Sequence, residues 1–211
     1  MHFEYYTHQL ISPGYLTARV PSEVMEVLNN AVNHIQLNGG EDMSSRLAGH
    51  IAEQINMMDR AECVDTLMPL LNGLAASYDD HFNYSHGLLT RTDHNQQKLK
   101  LESLWVNFQK KHDFNPSHNH TGVYSFVIWH TIPYNLQDEL NYFAGKNSRT
   151  SLFEFSYIGS LGHIQNDIIP VDKSYEGMIC FFPARLHHAV YPFYTSDDTR
   201  ISISGNLYYQ S

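Results

Sequence analysis

The second half of the chain is a series of short segments in which apolar and polar residues alternate. Residues 101–110 alternate, residues 152–157 alternate again, and residues 177–182 form an apolar run entered through a turn. Alternation with a period of two is typical of β-strands that are buried on one face. Turn residues separate these segments, so the pattern predicts a small barrel or a double-sheet jelly roll.

The first half carries a different periodicity. Apolar residues recur at helical spacing over residues 21–35 and 60–78, and Leu47, Ile51 and Ile55 lie four apart within residues 42–57. The first two stretches are predicted to be helices, and residues 42–57 are predicted to be a further helix or a loop followed by a helix. The fold class is therefore predicted as α+β, with a mainly helical N-terminal flank over residues 1–100 packed on a β core over residues 101–211, together one compact unit.

Charge and composition narrow the possible partners and location. The net charge of −9 leaves no broad basic surface, so nucleic acid is not expected as a partner. No apolar run approaches 18 residues, so no membrane helix is expected, and the first residues lack a signal-peptide pattern. The two cysteines, Cys63 and Cys180, are predicted to be buried free thiols in a reducing, cytoplasmic compartment. The helical half could serve as a lid or a homodimer surface.

Two histidines separated by one residue, His118 and His120, suggest a metal site. On an extended strand they point to the same face, about 6.6 Å apart at ~3.3 Å per residue. His188, which follows an apolar strand and a turn, is the best candidate for a third ligand. Non-haem iron more often has two histidines and one carboxylate, so Glu154 and Asp113 are weaker candidates.

The segment from Arg200 to Ser204 supplies a possible anion site. Alternation puts Arg200, Ser202 and Ser204 on one face of a strand and two isoleucines on the other. An arginine that points into a β core is costly unless it meets an anion. Its guanidinium pairs well with a carboxylate, and the hydroxyl of Ser202 adds a contact. Asn107 could bind the same ligand or belong to a polar network in the core.

The sequence blocks that carry these residues resemble, in their order and spacing, those of a known family. They are similar to the 2-oxoglutarate/iron(II)-dependent oxygenases, in a prolyl-hydroxylase-like form found in tailed bacteriophages. The resemblance covers about residues 100–208. The blocks are Trp105-Val106-Asn107, Asn115-Pro116-Ser117-His118-Asn119-His120, residues 124–129, residues 182–190 and residues 200–207.

The resemblance implies a double-stranded β-helix (jelly-roll) fold and three small-molecule requirements: Fe(II), 2-oxoglutarate and molecular oxygen. His118 and His188 match the iron histidines of the family, and Arg200 and Ser202 match its co-substrate clamp. His120 stands where most members of the superfamily have aspartate. The implied reaction is a hydroxylation that couples decarboxylation of 2-oxoglutarate to succinate with oxidation of an unidentified substrate. No side-chain nucleophile or general base is expected.

Two alternatives remain open at this point. A cupin-like metalloenzyme that does not use 2-oxoglutarate would share the strand and histidine pattern. It would not need Arg200, and Tyr124 and Ser125 stand where cupins carry a glutamate. The other alternative is a non-catalytic phage protein for binding or assembly, in which the barrel has lost its activity.

Overall fold

Two antiparallel β-sheets face each other in the computed structural model, which describes Glu4, Tyr6 and residues 14–44, 49–84, 98–143 and 149–210. In chain order the elements are β1 (Leu16–Arg19), α1 (Ser22–Asn38), β2 (Glu53–Asn56), α2 (Ala61–Phe82), β3 (Leu99–Gln109), β4 (Asn115–His118), β5 (Tyr124–Thr131), α3 (Leu136–Tyr142), β6 (Phe153–Ile158), β7 (Ile164–Ile169), β8 (Met178–Pro183), β9 (His187–Val190) and β10 (Arg200–Tyr209). The larger sheet has the order β1-β8-β5-β10-β3-β2 and the smaller one β4-β9-β6-β7. This architecture confirms the predicted jelly-roll core.

The two long helices cover the outer face of the six-stranded sheet. The apolar stripe of α1, which includes Leu28 and Val32, packs with Leu67 and Leu71 of α2 in one buried cluster. The same cluster contains Val106 of β3 and Ile203 of β10, so the helices close off one face of those strands. Burying such a stripe is the main source of stability for an amphipathic helix. The predicted helical flank is thereby confirmed.

The prediction of a helix over residues 42–57 is wrong. Glu53–Asn56 form the edge strand β2, which pairs with β3 and places Gln54 opposite Asn107. His50 forms an isolated bridge with Phe114, so this part of the chain runs from one sheet to the other. Sheet pairing has overridden a weak helical spacing that rested partly on Leu47, which lies outside the described residues.

The alternation in β3 holds except at its start. Leu101 was expected on the same face as Ser103, but it packs in the helix-covered core with Leu104. The register shifts between Asn206 and Leu207 of β10, so Glu102 has no partner and forms a bulge. A bulge inserts one extra residue and reverses the faces of those before it.

Several smaller expectations can also be compared with the structure. Cys63 and Cys180 are both free and buried, as predicted. In the described part of the chain, no helix has the length and apolar character needed to cross a membrane. Residues 90–100, whose polar composition predicts a loop, lie mostly outside the described residues, and β3 begins at Leu99. The division of the chain at residue 100 stays a prediction; β1 and β2, from before that point, are the two edges of the larger sheet.

Candidate metal and co-substrate site

Three histidine side chains converge between the two sheets. His118 ends β4 and lies directly opposite His188 of β9 in the strand register. His120 follows two residues later, and its backbone N–H donates to the carbonyl of Ala184 at 2.8 Å. One ring nitrogen from each histidine lies within 4.8 Å of the other two. The predicted trio is therefore brought together, in a geometry that one metal ion could bridge.

Hydrogen bonds fix the orientation of two of these rings. The Nδ1 atom of His118 lies 2.7 Å from the carbonyl of Pro116, and that of His188 lies 3.1 Å from the carbonyl of Leu186. A carbonyl only accepts, so each Nδ1 must carry the proton and each Nε2 keeps its lone pair. Metal-binding histidines are commonly oriented in this way by a backbone carbonyl.

Burial keeps the three imidazoles neutral. Desolvation lowers the pKa of His118, lowers that of His120 to about 4, and puts that of His188 well below its ordinary value. The neighbouring histidines lower the pKa values of His120 and His188 further, because a second positive charge nearby is unfavourable. Neutral imidazole is the form that binds a metal, so this donor set fits a divalent transition-metal ion such as Fe(II).

Among the described residues, no carboxylate lies close enough to the three histidines to share an ion with them. Glu154 accepts a hydrogen bond from Arg149 at 2.9 Å, and Asp113 accepts from the backbone N–H groups of Ala52 and Lys110. Within the described ranges, the three histidines are the one group of His, Cys, Asp or Glu side chains close enough to share an ion. The two weaker carboxylate candidates are thus engaged elsewhere.

A pocket of about 470 Å³ opens beside the histidines. Residues from both sheets line it, among them all six site residues expected from the sequence: Asn107, His118, His120, His188, Arg200 and Ser202. Arg200 and Ser202 share the pocket face of β10, while Ile201 and Ile203 lie in the helix-covered core. The predicted alternation along this strand is therefore confirmed.

Arg200 is 4% exposed, and its guanidinium has only neutral hydrogen-bond partners among the described residues. Its Nε and Nη2 donate to Oε1 of Gln109 at 3.1 and 2.6 Å, Nη2 also donates to the carbonyl of Tyr191 at 2.9 Å, and Nη1 donates to the hydroxyl of Tyr134 at 2.6 Å. Four of the five guanidinium hydrogens are thus used. A buried arginine without a carboxylate partner is a strong binding site for an external anion.

Two hydroxyl groups near this charge carry protons that have no acceptor among the described residues. The hydroxyl of Tyr134 accepts from Arg200, which leaves its own proton without an acceptor in the described part of the chain; burial raises the pKa of Tyr134, which keeps that proton in place. The Ser202 hydroxyl accepts from Nδ2 of Asn107 at 3.4 Å and likewise keeps its proton. Oδ1 of Asn107 is buried without a partner, so the polar network between them is incomplete.

The sequence did not single out every residue of the site. Gln109 was placed on the same face as Asn107 by alternation, but nothing marked it as a partner of Arg200. Tyr134 follows β5 in a segment without a pattern, 66 positions from the arginine that it contacts. Trp105, whose ring centroid lies 5.7 Å from that of His120, belongs to a block that resembles the family, but nothing in the sequence assigned it a role of its own. Long-range contacts of this kind have no local signature in a sequence.

Comparison with solved structures shows which proteins share this fold. The chain is similar in fold to a prolyl-4-hydroxylase from Pseudomonas putida, with a TM-score of 0.58 and 12% identity over 95% of each chain. It also resembles the viral collagen prolyl hydroxylase of Paramecium Bursaria Chlorella virus-1, with a TM-score of 0.53 and 13% identity over 92% of this chain and 94% of that one. The epimerase SnoN from nogalamycin biosynthesis gives a TM-score of 0.55 at 12% identity, over 93% and 76% of the two chains.

These structural similarities establish the fold, and the family follows from the sequence. No curated protein matches the chain. Residues 103–206 match the model of the family described as "Putative 2OG-Fe(II) oxygenase", and this span contains all six of the expected site residues. Through that span the chain belongs to the 2-oxoglutarate- and iron(II)-dependent oxygenases, enzymes that use iron(II), 2-oxoglutarate and molecular oxygen.

Proposed function

We propose that the chain is a hydroxylase in which His118, His120 and His188 hold iron(II). Arg200 and Ser202 bind the distal carboxylate of 2-oxoglutarate, and Asn107 hydrogen-bonds the same co-substrate. The observation that carries this assignment is the buried guanidinium of Arg200, which has only neutral partners among the described residues and lines the same pocket as the three neutral histidines. A keto-acid with a second carboxylate satisfies both ends of the pocket at once.

The chain's own residues bind and orient, while the bound iron with 2-oxoglutarate and oxygen supplies the oxidising chemistry. The Nδ1–H groups of His118 and His188 are held by backbone carbonyls, so the lone pairs of their Nε2 atoms are preorganised to bind the metal. At the other end the free Nη1 hydrogen of Arg200 and the Tyr134 and Ser202 hydroxyls act as donors to the carboxylate. Charge-assisted hydrogen bonds of this kind are worth about 1.5–3 kcal/mol each.

The primary substrate occupies the outer half of the pocket in this proposal. Trp105, whose ring centroid lies 5.7 Å from that of His120, pairs with Ser204, four residues along β10 from Arg200. The pocket continues past this level to Asn206 and Tyr208. Apart from Arg200, no arginine or lysine of the described chain lines the pocket, and Glu102 lies at its outer half. A polyanion such as nucleic acid is therefore a poor substrate.

We further propose that residues 1–100 and 101–211 fold as one unit, since β1 and β2 belong to the same sheet as β10. The two free, buried cysteines support a reducing cytoplasm as the site of action. A bacteriophage origin and a homodimer remain predictions from the sequence alone.

The assignment is tested by turnover and by metal content. Purified protein supplied with iron(II), 2-oxoglutarate and oxygen should release succinate, and it should bind close to one iron per chain. The Arg200→Ala variant should keep the iron and lose the succinate. The proposal would be refuted if the wild-type protein took up no iron. It would also be refuted if the Arg200→Ala variant released as much succinate as the wild type. A screen of small molecules and peptides for stimulated succinate release would then identify the substrate class.

A further inference from the structure

Gln109 occupies an unusual position behind the arginine. It is the last residue of β3, it is 4% exposed, and it lies directly opposite Arg200 in the register of β3 and β10. Its Nε2 donates to the carbonyl of Asp113 at 2.6 Å. A carbonyl can only accept, so this bond fixes the amide with Oε1 turned toward the guanidinium.

Oε1 of Gln109 binds the Nε–Nη2 edge of the Arg200 guanidinium, where a carboxylate usually binds. Oε1 accepts from both Nε and Nη2, at 3.1 and 2.6 Å, which is the fork that arginine offers to acidic groups. The amide fills the fork without adding a negative charge. The hydrogen that remains free is on Nη1, next to the Tyr134 hydroxyl.

We infer that Gln109 is a positioning residue for the co-substrate, which aims the free Nη1–H of Arg200 at the distal carboxylate and leaves the positive charge uncancelled. This inference rests on the proposed function. A glutamate at this position would form a buried ion pair with Arg200 and neutralise it before any ligand arrives. An apolar residue would leave the fork open, so that the guanidinium could turn away.

The consequence is selectivity among keto-acids. A co-substrate with a distal carboxylate gains the full charge of Arg200, whereas one with a methyl group at that end gains nothing from it. The hydrogen bonds of Gln109 among the described residues go to Arg200 and Asp113, and none goes to the three histidines. Changes at this residue should therefore alter the affinity for 2-oxoglutarate and spare that for 2-oxopentanoate, which has the same chain length without the second carboxylate.

The experiment compares the two keto-acids on three proteins. Calorimetric titration under nitrogen gives the dissociation constants for iron(II)-loaded wild type, Gln109→Glu and Gln109→Met. Because hydrogen bonds to a charged group carry one to two factors of ten in affinity, we expect Gln109→Glu to bind 2-oxoglutarate ~100-fold more weakly and Gln109→Met ~10-fold more weakly. Both should bind 2-oxopentanoate within about threefold of wild type. In turnover assays, KM for 2-oxoglutarate should rise while kcat at saturation stays close to wild type.

The possible results separate the hypotheses. Equal weakening of both keto-acids would show a merely structural role and overturn the inference, as would unchanged binding of 2-oxoglutarate in the variants. If Gln109→Glu fails to fold, as judged by its thermal unfolding, the Gln109→Met comparison decides alone. A wild-type protein that binds no 2-oxoglutarate overturns the proposed function and this inference together, whereas tight wild-type binding with unchanged variants overturns this inference only.

Discussion

At the scale of single residues, the unusual feature is the third histidine. Iron sites with two histidines and a carboxylate place one negative charge on the metal, whereas His118, His120 and His188 are three neutral donors. Nothing in the described chain replaces the missing charge, because Glu154 and Asp113 are hydrogen-bonded elsewhere. The bound ion would therefore keep more positive charge, which favours tight binding of the anionic keto-acid.

The role of His120 can be tested by two substitutions. His120→Ala removes a metal ligand, so the affinity for iron(II) should fall at least tenfold. His120→Asp supplies the more common carboxylate and should keep the affinity within about tenfold of wild type. Competition with a chelator measures both. His187→Ala is the matched control, because His187 is exposed and contacts Asn119 rather than the other histidines. Unchanged iron affinity in His120→Ala would exclude this residue as a ligand.

The hydroxyl of Tyr134 offers a second test at the same scale. Tyr134→Phe removes the acceptor for Nη1 of Arg200 and a donor for the co-substrate, while the ring that stacks on Phe193 remains. One hydrogen bond to a charged group corresponds to about 1.5–3 kcal/mol, so 2-oxoglutarate should bind ~10- to 100-fold more weakly. Calorimetry measures this loss. Tyr175→Phe, in the same aromatic core, should bind normally. Equal affinities in the two variants would contradict the role of Tyr134.

At the scale of elements, the sequence was most informative where periodicity was strong. The long apolar stripe of α2 and the alternation of β10 were both predicted, because burial on one face imposes a period. It failed over residues 42–57, where three apolar residues matched a helix but pairing with β3 made a strand. The six predicted site residues line one pocket and each sits in a sequence motif, whereas the contacts of Gln109 and Tyr134 with Arg200 join distant segments.

The segment that replaces the expected helix is an element in its own right. It runs from the bridge at His50 to β2 and thereby links β4, which carries His118, to the edge of the larger sheet. Gly49 lies at the closest approach: a Cβ there would be 2.3 Å from the carbonyl oxygen of Phe114 and 2.7 Å from Cα of Asn115. Backbone atoms cannot move aside cheaply, so this position requires glycine.

Gly49→Ala should therefore destabilise the fold by about 1–3 kcal/mol, the usual range for overpacking. Because the strain falls on β4, iron affinity should drop as well. Denaturant unfolding and chelator competition measure the two effects. Gly73→Ala is the control: a Cβ added at this exposed glycine of α2 would meet no atom within 4 Å, and alanine there should stabilise by ~0.5–1 kcal/mol. Equal stability of the two variants would refute the role of Gly49.

At the scale of the whole molecule, the two sheets have different surroundings. The larger sheet is braced by α1 and α2 on its outer face, and its inner face forms one wall of the pocket. The smaller sheet contributes His118 and His188 to that pocket and meets the larger one through an aromatic cluster that includes Phe153 and Phe182. The histidines thus lie where the sheets join, so protonating them should loosen the whole fold.

Stability of the metal-free protein should therefore fall as the pH decreases from 7.5 to 5.5. Burial lowers the pKa values of His118, His120 and His188 in the folded state. These residues therefore bind protons near pH 6.5 in the unfolded chain but not in the folded chain. The stabilisation is complete above that pH and is lost below it, by up to about 1.4 kcal/mol per pH unit for each proton.

Thermal unfolding of the metal-free protein across this pH range tests the argument, with His188→Gln as the comparison. The variant keeps a polar side chain of similar length but lacks one histidine whose pKa is lowered in the folded state. The midpoint of its thermal unfolding should therefore depend less steeply on pH. Carboxylates titrate mainly below this range and contribute little. Iron(II) binds only the neutral imidazoles of the folded state and should raise the wild-type midpoint most above pH 6.5. Parallel pH profiles for wild type and His188→Gln would show that the histidines do not couple protonation to folding.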